Sequence, residues 1–240
     1  MPASSDPTPV FTRALAEGLW VAEHPMKAMG MELGRRMTVV RLEGGRLWLH
    51  SVGRLTTEVA GWLDSLGRVA FVVSPSRTHR RWMEAYAAAY PDAALVASPG
   101  LPRKRPDLAF DRTLGDLPEP EWAGELDQAV FPIRGDYREV VFLHRPSRTL
   151  ILTDLCFHVP AGRGLVTTAL ARAFGYYERL AVSRLLRMLL ADRPAARDAL
   201  ERILTWDFDR VIIGHGRITE TGGKPALETA FAWLLKGQRP

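Results

Sequence analysis

The chain has 240 residues, 47% of them hydrophobic, with a formal net charge of +5 and one cysteine. That apolar content is enough for a packed core and excludes a wholly disordered chain, while a single thiol excludes a disulfide framework. Among the 32 basic residues only Lys27, Lys104, Lys224 and Lys236 are lysines. The charge therefore reads as arginine-rich coding bias and weighs against a nucleic-acid partner.

The first residues are polar and proline-rich, which predicts a disordered or loosely attached leader over 1–17 and a single domain over 18–240. No apolar run approaches the roughly 20 residues that cross a bilayer, and residues 1–9 lack the core of a signal peptide. A cytoplasmic protein with no membrane partner is expected, its one thiol, Cys156, buried and inert in an apolar run.

Residues 18–22 predict a short strand and 37–42 and 46–50 two more, joined by Glu43-Gly44-Gly45, whose glycines supply the positive φ of a tight hairpin. Thr56 is suited to cap a helix whose apolar positions Val59, Trp62, Leu63 and Leu66 recur at helical spacing until Gly67. Residues 69–73 are apolar on both faces, the pattern of a strand covered on both sides. Thr78 is expected to open a second helix, with Trp82, Ala85, Tyr86 and Ala89 along its stripe, before a strand at 94–97. Residues 98–122 are crowded with proline and charge, include Arg103-Lys104-Arg105, and read as a surface excursion without elements of its own.

Strands return at 127–131, 139–144 and 149–153, the last two joined by the turn Arg145-Pro146-Ser147-Arg148. Residues 165–190 predict helix interrupted near Gly175, 194–204 a helix with Pro194 in its first turn, 210–213 a strand and 225–235 a final helix. Two mixed halves of this kind stack sheet on sheet with helices outside, an α/β fold of four αββα layers. The tryptophans Trp20, Trp48, Trp62, Trp82 and Trp233 fall on apolar positions and read as core.

Three side chains able to bind a metal share one local setting. His79 follows the strand at 69–73, Asp154 ends the strand at 149–153, and His215 follows the strand at 210–213. Each thus sits just beyond the C-terminal end of a buried strand, where ligand sites of α/β folds gather. Two imidazoles and a carboxylate suit zinc, or iron with open coordination positions, and a metal there would activate water and polarise a carbonyl or phosphoryl group. Taken singly, each residue reads better as a strand-end cap or satisfied hydrogen-bonding group; the case for a metal lies in the trio.

Thr153-Asp154 after an apolar strand, followed by Ile213-Gly214-His215-Gly216, resembles the Gly-Asp and Gly-His-Gly segments of metallo-β-lactamase-like hydrolases such as glyoxalase II and ribonuclease Z. The segments from Leu47 to Ser51, Pro99 to Phe110, His144 to Leu150 and Thr153-Asp154-Leu155 resemble more closely the DUF4336 family placed in that superfamily. The resemblance implies the four-layer metallo-β-lactamase sandwich over nearly the whole chain from Gly18 on. It also shows a depleted site: the superfamily's H-x-H-x-D-H segment falls on Pro75-Ser76-Arg77-Thr78-His79-Arg80, so both histidines of the first metal position are replaced, by Pro75 and Arg77. The ligand histidine of the superfamily's Gly-His segment falls on Asp136.

What survives is the outline of a second metal position, His79, Asp154 and His215, implying one zinc, iron or manganese ion and a hydrolase acting on a small-molecule substrate. The alternative is a metal-free descendant that binds an anion or a protein, with Arg77, Arg80, Asp136 and His144 as further substrate- or anion-binding candidates and an arginine paired to Asp154 in place of the metal. His50 and His158 are weighed as further histidines of the same edge. The oligomeric state is left open by the sequence.

Overall fold

The computed structural model describes residues 11–236. Phe11–Ala16 (β1) pairs antiparallel with Leu19–His24 (β2), so the part of the expected leader within the described residues is an edge strand. Its side chains are largely exposed and it is held by backbone pairing, which leaves no apolar pattern to read. Residues 1–10 lie outside the described residues.

A short ribbon of Lys27–Ala28 (β3) and Met31–Glu32 (β4) leads into Arg35–Leu42 (β5) and, through a 3-10 turn at Glu43–Gly45, into Arg46–His50 (β6). Gly44 and Gly45 both have φ of 74°, as the tight connection requires. Thr56 caps Thr57–Leu66 (α1), its hydroxyl accepting from the Val59 N–H at 3.3 Å. Arg68–Ser74 (β7), Met83–Ala89 (α2), Ala94–Ala97 (β8), Leu101–Lys104 (α3) and Arg112–Thr113 (β9) complete the first half.

Two expectations change here. The second helix begins at Met83 rather than Thr78, because the chain after β7 is drawn across to the other sheet, where Thr78 bonds Asp154. The excursion over 98–122 carries α3 and β9; β9 is a two-residue pairing supplied by the free edge of β8, too short to leave a periodicity.

The second half contains Leu126–Arg134 (β10), Tyr137–His144 (β11), Thr149–Ile151 (β12), Leu165–Phe174 (α4), Arg184–Leu189 (α5), Arg193–Thr205 (α6), Arg210–Ile212 (β13), Gly223–Ala230 (α7) and Ala232–Leu235 (α8). The stretch read as one interrupted helix is α4 and α5, separated by a segment that pairs as β-bridges with Phe157 and Val159. The closing helix starts at Gly223 and breaks at Phe231.

The larger sheet has the order β1-β2-β5-β6-β7-β8-β9, parallel from β6 onward, and the smaller the order β10-β11-β12-β13, with β12 parallel to β13. Their inner faces meet through Leu19, Val40, Trp48, Phe71, Phe142, Ile151 and Ile212. Val59, Leu63, Met83 and Tyr86 of α1 and α2 cover the outer face of the larger sheet; Leu186, Leu200, Ile203 and Leu227 of α5, α6 and α7 cover that of the smaller. The result is the expected αββα layering, each fully buried side chain contributing about 1.5–3 kcal/mol. Among the described residues no helix is long and apolar enough to cross a membrane. The parallel strands β6 and β7 of one sheet and β12 and β13 of the other end at a shared rim, and the three candidate ligands follow three of them.

Candidate metal centre

The rim brings His79, Asp154 and His215 together: Nε2 of His79 is 3.2 Å and Nε2 of His215 3.3 Å from Asp154 Oδ1, and one donor atom of each residue lies within 4.8 Å of the others. Separations of this size suit a tetrahedral ion, since bonds of about 2.0–2.1 Å place neighbouring ligands about 3.3 Å apart. The far nitrogens of both rings are held from behind. His215 Nδ1 donates to the Gly34 carbonyl at 2.6 Å, and His79 Nδ1 lies 2.5 Å from the Ser51 hydroxyl. Each ring thereby turns its Nε2 toward the carboxylate, the outer-shell arrangement that fixes tautomer and orientation in metal sites.

The backbone around these ligands is specified by a few residues. Glu139, fully buried at the start of β11, accepts from the amides of Thr153 at 2.7 Å and Asp154 at 2.8 Å and so clamps the end of β12. Thr78 donates to Asp154 Oδ2 at 2.8 Å, leaving Oδ1 to the imidazoles. The Ser74 hydroxyl bonds the carbonyls of Ser76 and His79, both at 2.9 Å, fixing the loop that carries His79.

The Gly-His-Gly spacing has a steric cause. A side chain at Gly214 would meet His79 Cε1 and Thr153 Cα at 3.2 Å; at Gly216, where φ is +96°, it would meet the His158 carbonyl oxygen at 2.1 Å. Arg36, 6% exposed, donates to the carbonyls of Ile213 at 2.5 Å and Gly216 at 2.6 Å and pairs with Glu23, docking this segment against β5.

Electrostatics favour the ligating protonation states. Burial alone would raise the Asp154 carboxyl, but the two imidazoles and their hydrogen bonds outweigh it and hold it well below the usual carboxylate range. Burial depresses His79, more than the Asp154 charge raises it, so its ring is neutral and able to ligate. Burial, and then the Asp154 charge, push Glu139 up to about 8.

None of the other candidates bonds the trio. Arg77 donates to Asp136 at 3.3 Å and lies 4.2 Å over the Tyr137 ring, Asp136 also meets Arg103 at 3.4 Å, and Arg80 donates to the Lys104 carbonyl. Neither arginine bonds Asp154, so neither replaces a metal in the way the sequence left open. His144 ends β11, which runs antiparallel to β12, and it therefore sits at the opposite end of the sheet from Asp154, bonded to Ser147. His50 is buried and stacked on Trp48 at 5.4 Å, and His158 forms a backbone bridge with Gly216. Sequence reasoning missed Ser51, Thr78, Glu139, Arg35 and Arg36 as site residues. Glu139 and the Arg35-Arg36 pair carried a signal, as charges just before the apolar runs of their strands; Ser51 and Thr78 carried none.

This sandwich with its ligand cluster on the strand-end rim has the metallo-β-lactamase fold. The DIM-1 metallo-β-lactamase exposed to ceftazidime superposes with a TM-score of 0.62 at 18% identity, covering 97% of this chain and 100% of that one. The mono-zinc form of the metallo-β-lactamase FIM-1 from Pseudomonas aeruginosa gives 0.62 at 14% identity and 97% of both chains. The metal-soaked Flv1 flavodiiron core from Synechocystis sp. PCC6803 gives 0.65 at 12% identity, over 95% of this chain and 61% of that one. No curated protein matches. Within the fold, the chain belongs to the family described as Domain of unknown function (DUF4336), whose model matches residues 16–179.

Proposed function

We propose that the chain is a single-metal hydrolase of a small-molecule substrate, with His79, Asp154 and His215 holding one zinc, iron or manganese ion. The observation that carries this reading is the convergence of two imidazole Nε2 atoms on one carboxylate oxygen, each ring held from behind by a separate hydrogen bond. When bound, such an ion supplies Lewis acidity and activates water at neutral pH. The residues of the chain orient that chemistry: Gly34 and Ser51 hold the rings, Thr78 and Glu139 hold Asp154, and the partial exposure of the Asp154 side chain, 17%, marks the approach from solvent. The site takes one ion rather than two because Pro75 and Arg77 stand at the first position and Arg77 is turned to Asp136 and Tyr137. Esters, thioesters, amides and phosphodiesters are the scissile groups we assign to it. The lone buried Cys156 supports placing the protein in the cytoplasm.

The test is elemental analysis of protein purified without a metal-affinity tag. Near-stoichiometric zinc, iron or manganese that is lost in His215→Ala supports the hydrolase. Absence of metal, together with a melting temperature indifferent to chelator and to added metal, refutes it and favours the second reading, a non-catalytic descendant that binds an anion or a protein at the same rim. The observation favouring that reading is the replacement of first-position ligands by proline and arginine.

A further inference from the structure

Buried polar atoms nearly always have a hydrogen-bond partner, and those that do not call for an unseen ligand or water. Beside the metal centre such atoms include Nε2 of His24 and both Nε and Nη2 of Arg35, on two adjacent side chains, along with His50 Nε2 and Thr153 Oγ1. The β2–β5 register sets His24 directly opposite Arg35, so the two share one face of the sheet. They are 7% and 6% exposed, and the Arg35 guanidinium lies 4.8 Å over the Trp82 ring. The cation–π contact offsets part of the cost of burying this charge, but no carboxylate pairs with it among the described residues. Arg35 is nonetheless close enough to the centre that its charge acts on His79 and His50, while the carboxylate that acts on it is Asp154.

The same strand ends border a cavity of about 440 Å³. The residues that border it include four cations, Lys27, Arg35, Arg36 and Arg163, against two carboxylates, Glu23 and Glu32. Both carboxylates are taken, Glu23 by Arg36 and Glu32 by Lys27, each at 2.9 Å, which leaves the positive charge of Arg35 and Arg163 without an acidic partner among the described residues. Gly34, Gly214 and Gly216 also line it, and these hold His215 from behind or flank it in the chain, so the cavity abuts the metal centre.

We propose that Arg35, with His24 beside it, is the receptor for an oxyanion, the carboxylate or phosphate of an anionic small molecule bound in this cavity next to the His79, Asp154 and His215 centre. A guanidinium offers paired N–H donors in the geometry a carboxylate or phosphate accepts, and such charge-assisted pairs are about twice as strong as neutral hydrogen bonds. Recognition of the anion needs no ion on the three ligands; only its designation as substrate rests on the hydrolase reading.

The experiment titrates metal-stripped, full-length protein with inorganic phosphate and, separately, with acetate, by calorimetry at constant ionic strength. Saturable binding of either probe that weakens at least tenfold in Arg35→Gln, and that Arg35→Lys, which keeps the charge but not the paired donors, recovers only in part, supports the assignment. No saturable binding of either probe, or equal binding by wild type and Arg35→Gln, overturns it. If Arg35→Gln does not fold, His24→Gln takes its place, with unchanged affinity counting against the receptor. Metal content of the same proteins as purified, before stripping, separates the two readings, because a chain that binds the anion but never metal refutes the hydrolase and leaves the receptor standing.

Discussion

Replacing Gly216 by alanine tests whether the backbone on either side of His215 is what builds the centre. The new Cβ would stand 2.1 Å from the His158 carbonyl oxygen and 2.8 Å from its carbon, and the residue would have to hold φ at +96°. That conformation costs an L-residue on the order of 1–3 kcal/mol. Moving the carbonyl aside sacrifices the hydrogen bond it accepts from the Arg217 N–H at 2.8 Å, which contributes about 1 kcal/mol. The sum is about 2–4 kcal/mol, which for a chain of this size lowers the melting temperature by roughly 5–15 °C. Differential scanning calorimetry of the chelator-treated protein reads this directly, and metal titration of the same variant is expected to show weaker binding because His215 moves with its neighbour. Gly61→Ala is the control: it lies inside α1 with nothing beyond its chain neighbours and its own helix backbone within 4 Å of the added carbon, and should stabilise by up to about 1 kcal/mol. A Gly216→Ala protein that melts within a degree or two of wild type and binds metal equally well would refute the steric account of the Gly-His-Gly segment.

Three further outcomes are expected. Ser51→Ala removes the partner of His79 Nδ1 and should weaken metal affinity about 10–100-fold in a chelator competition while leaving the circular dichroism spectrum unchanged; equal affinity would show that Ser51 does not orient the ring. His144, pushed by burial down to about 4 from 6.5, favours the neutral folded state, so the stability it contributes is complete above pH 6.5 and falls as pH drops toward 4, by up to about 3 kcal/mol. Denaturant midpoints measured across that range should decline less steeply in His144→Gln than in wild type, and parallel slopes would exclude this group as the cause. Cys156 is fully buried and its thiol is pushed up chiefly by burial, so a thiol-reactive disulfide reagent at pH 8 should label it only after denaturant is added; rapid labelling of the native protein would contradict that packing.

The strands and the three ligands were readable from the sequence for a common reason. A strand covered on both faces is apolar throughout, as at Val69 to Val73, and a polar residue just past its end, such as His79, stands out against it. The strand ends of α/β folds are where ligand sites form, so His79, Asp154 and His215 group by their positions in the chain alone. Elements held by backbone pairing alone left no such trace: β1 and β9 present mostly polar or exposed side chains, and their strand conformation comes from the edge beside them. His144 shows the same limit, since its position after an apolar strand is legible but the antiparallel direction that takes it to the far end of the sheet is not.

Sequence alone thus determined the layer pattern and the grouping of His79, Asp154 and His215 at strand ends, because these depend on local residue type and periodicity, while the replacement of the first ligand pair by Pro75 and Arg77 follows from the family resemblance. Tertiary structure alone decided which groups stand behind and beside them. Gly34 reaches His215 across 181 positions and Arg36 reaches Gly216 across 180. Such contacts depend on the register between strands and on the stacking of the two sheets, which no local window of the chain encodes. The unpaired charge of Arg35 belongs to the same class, since only the assembled rim shows that no carboxylate among the described residues forms an ion pair with it.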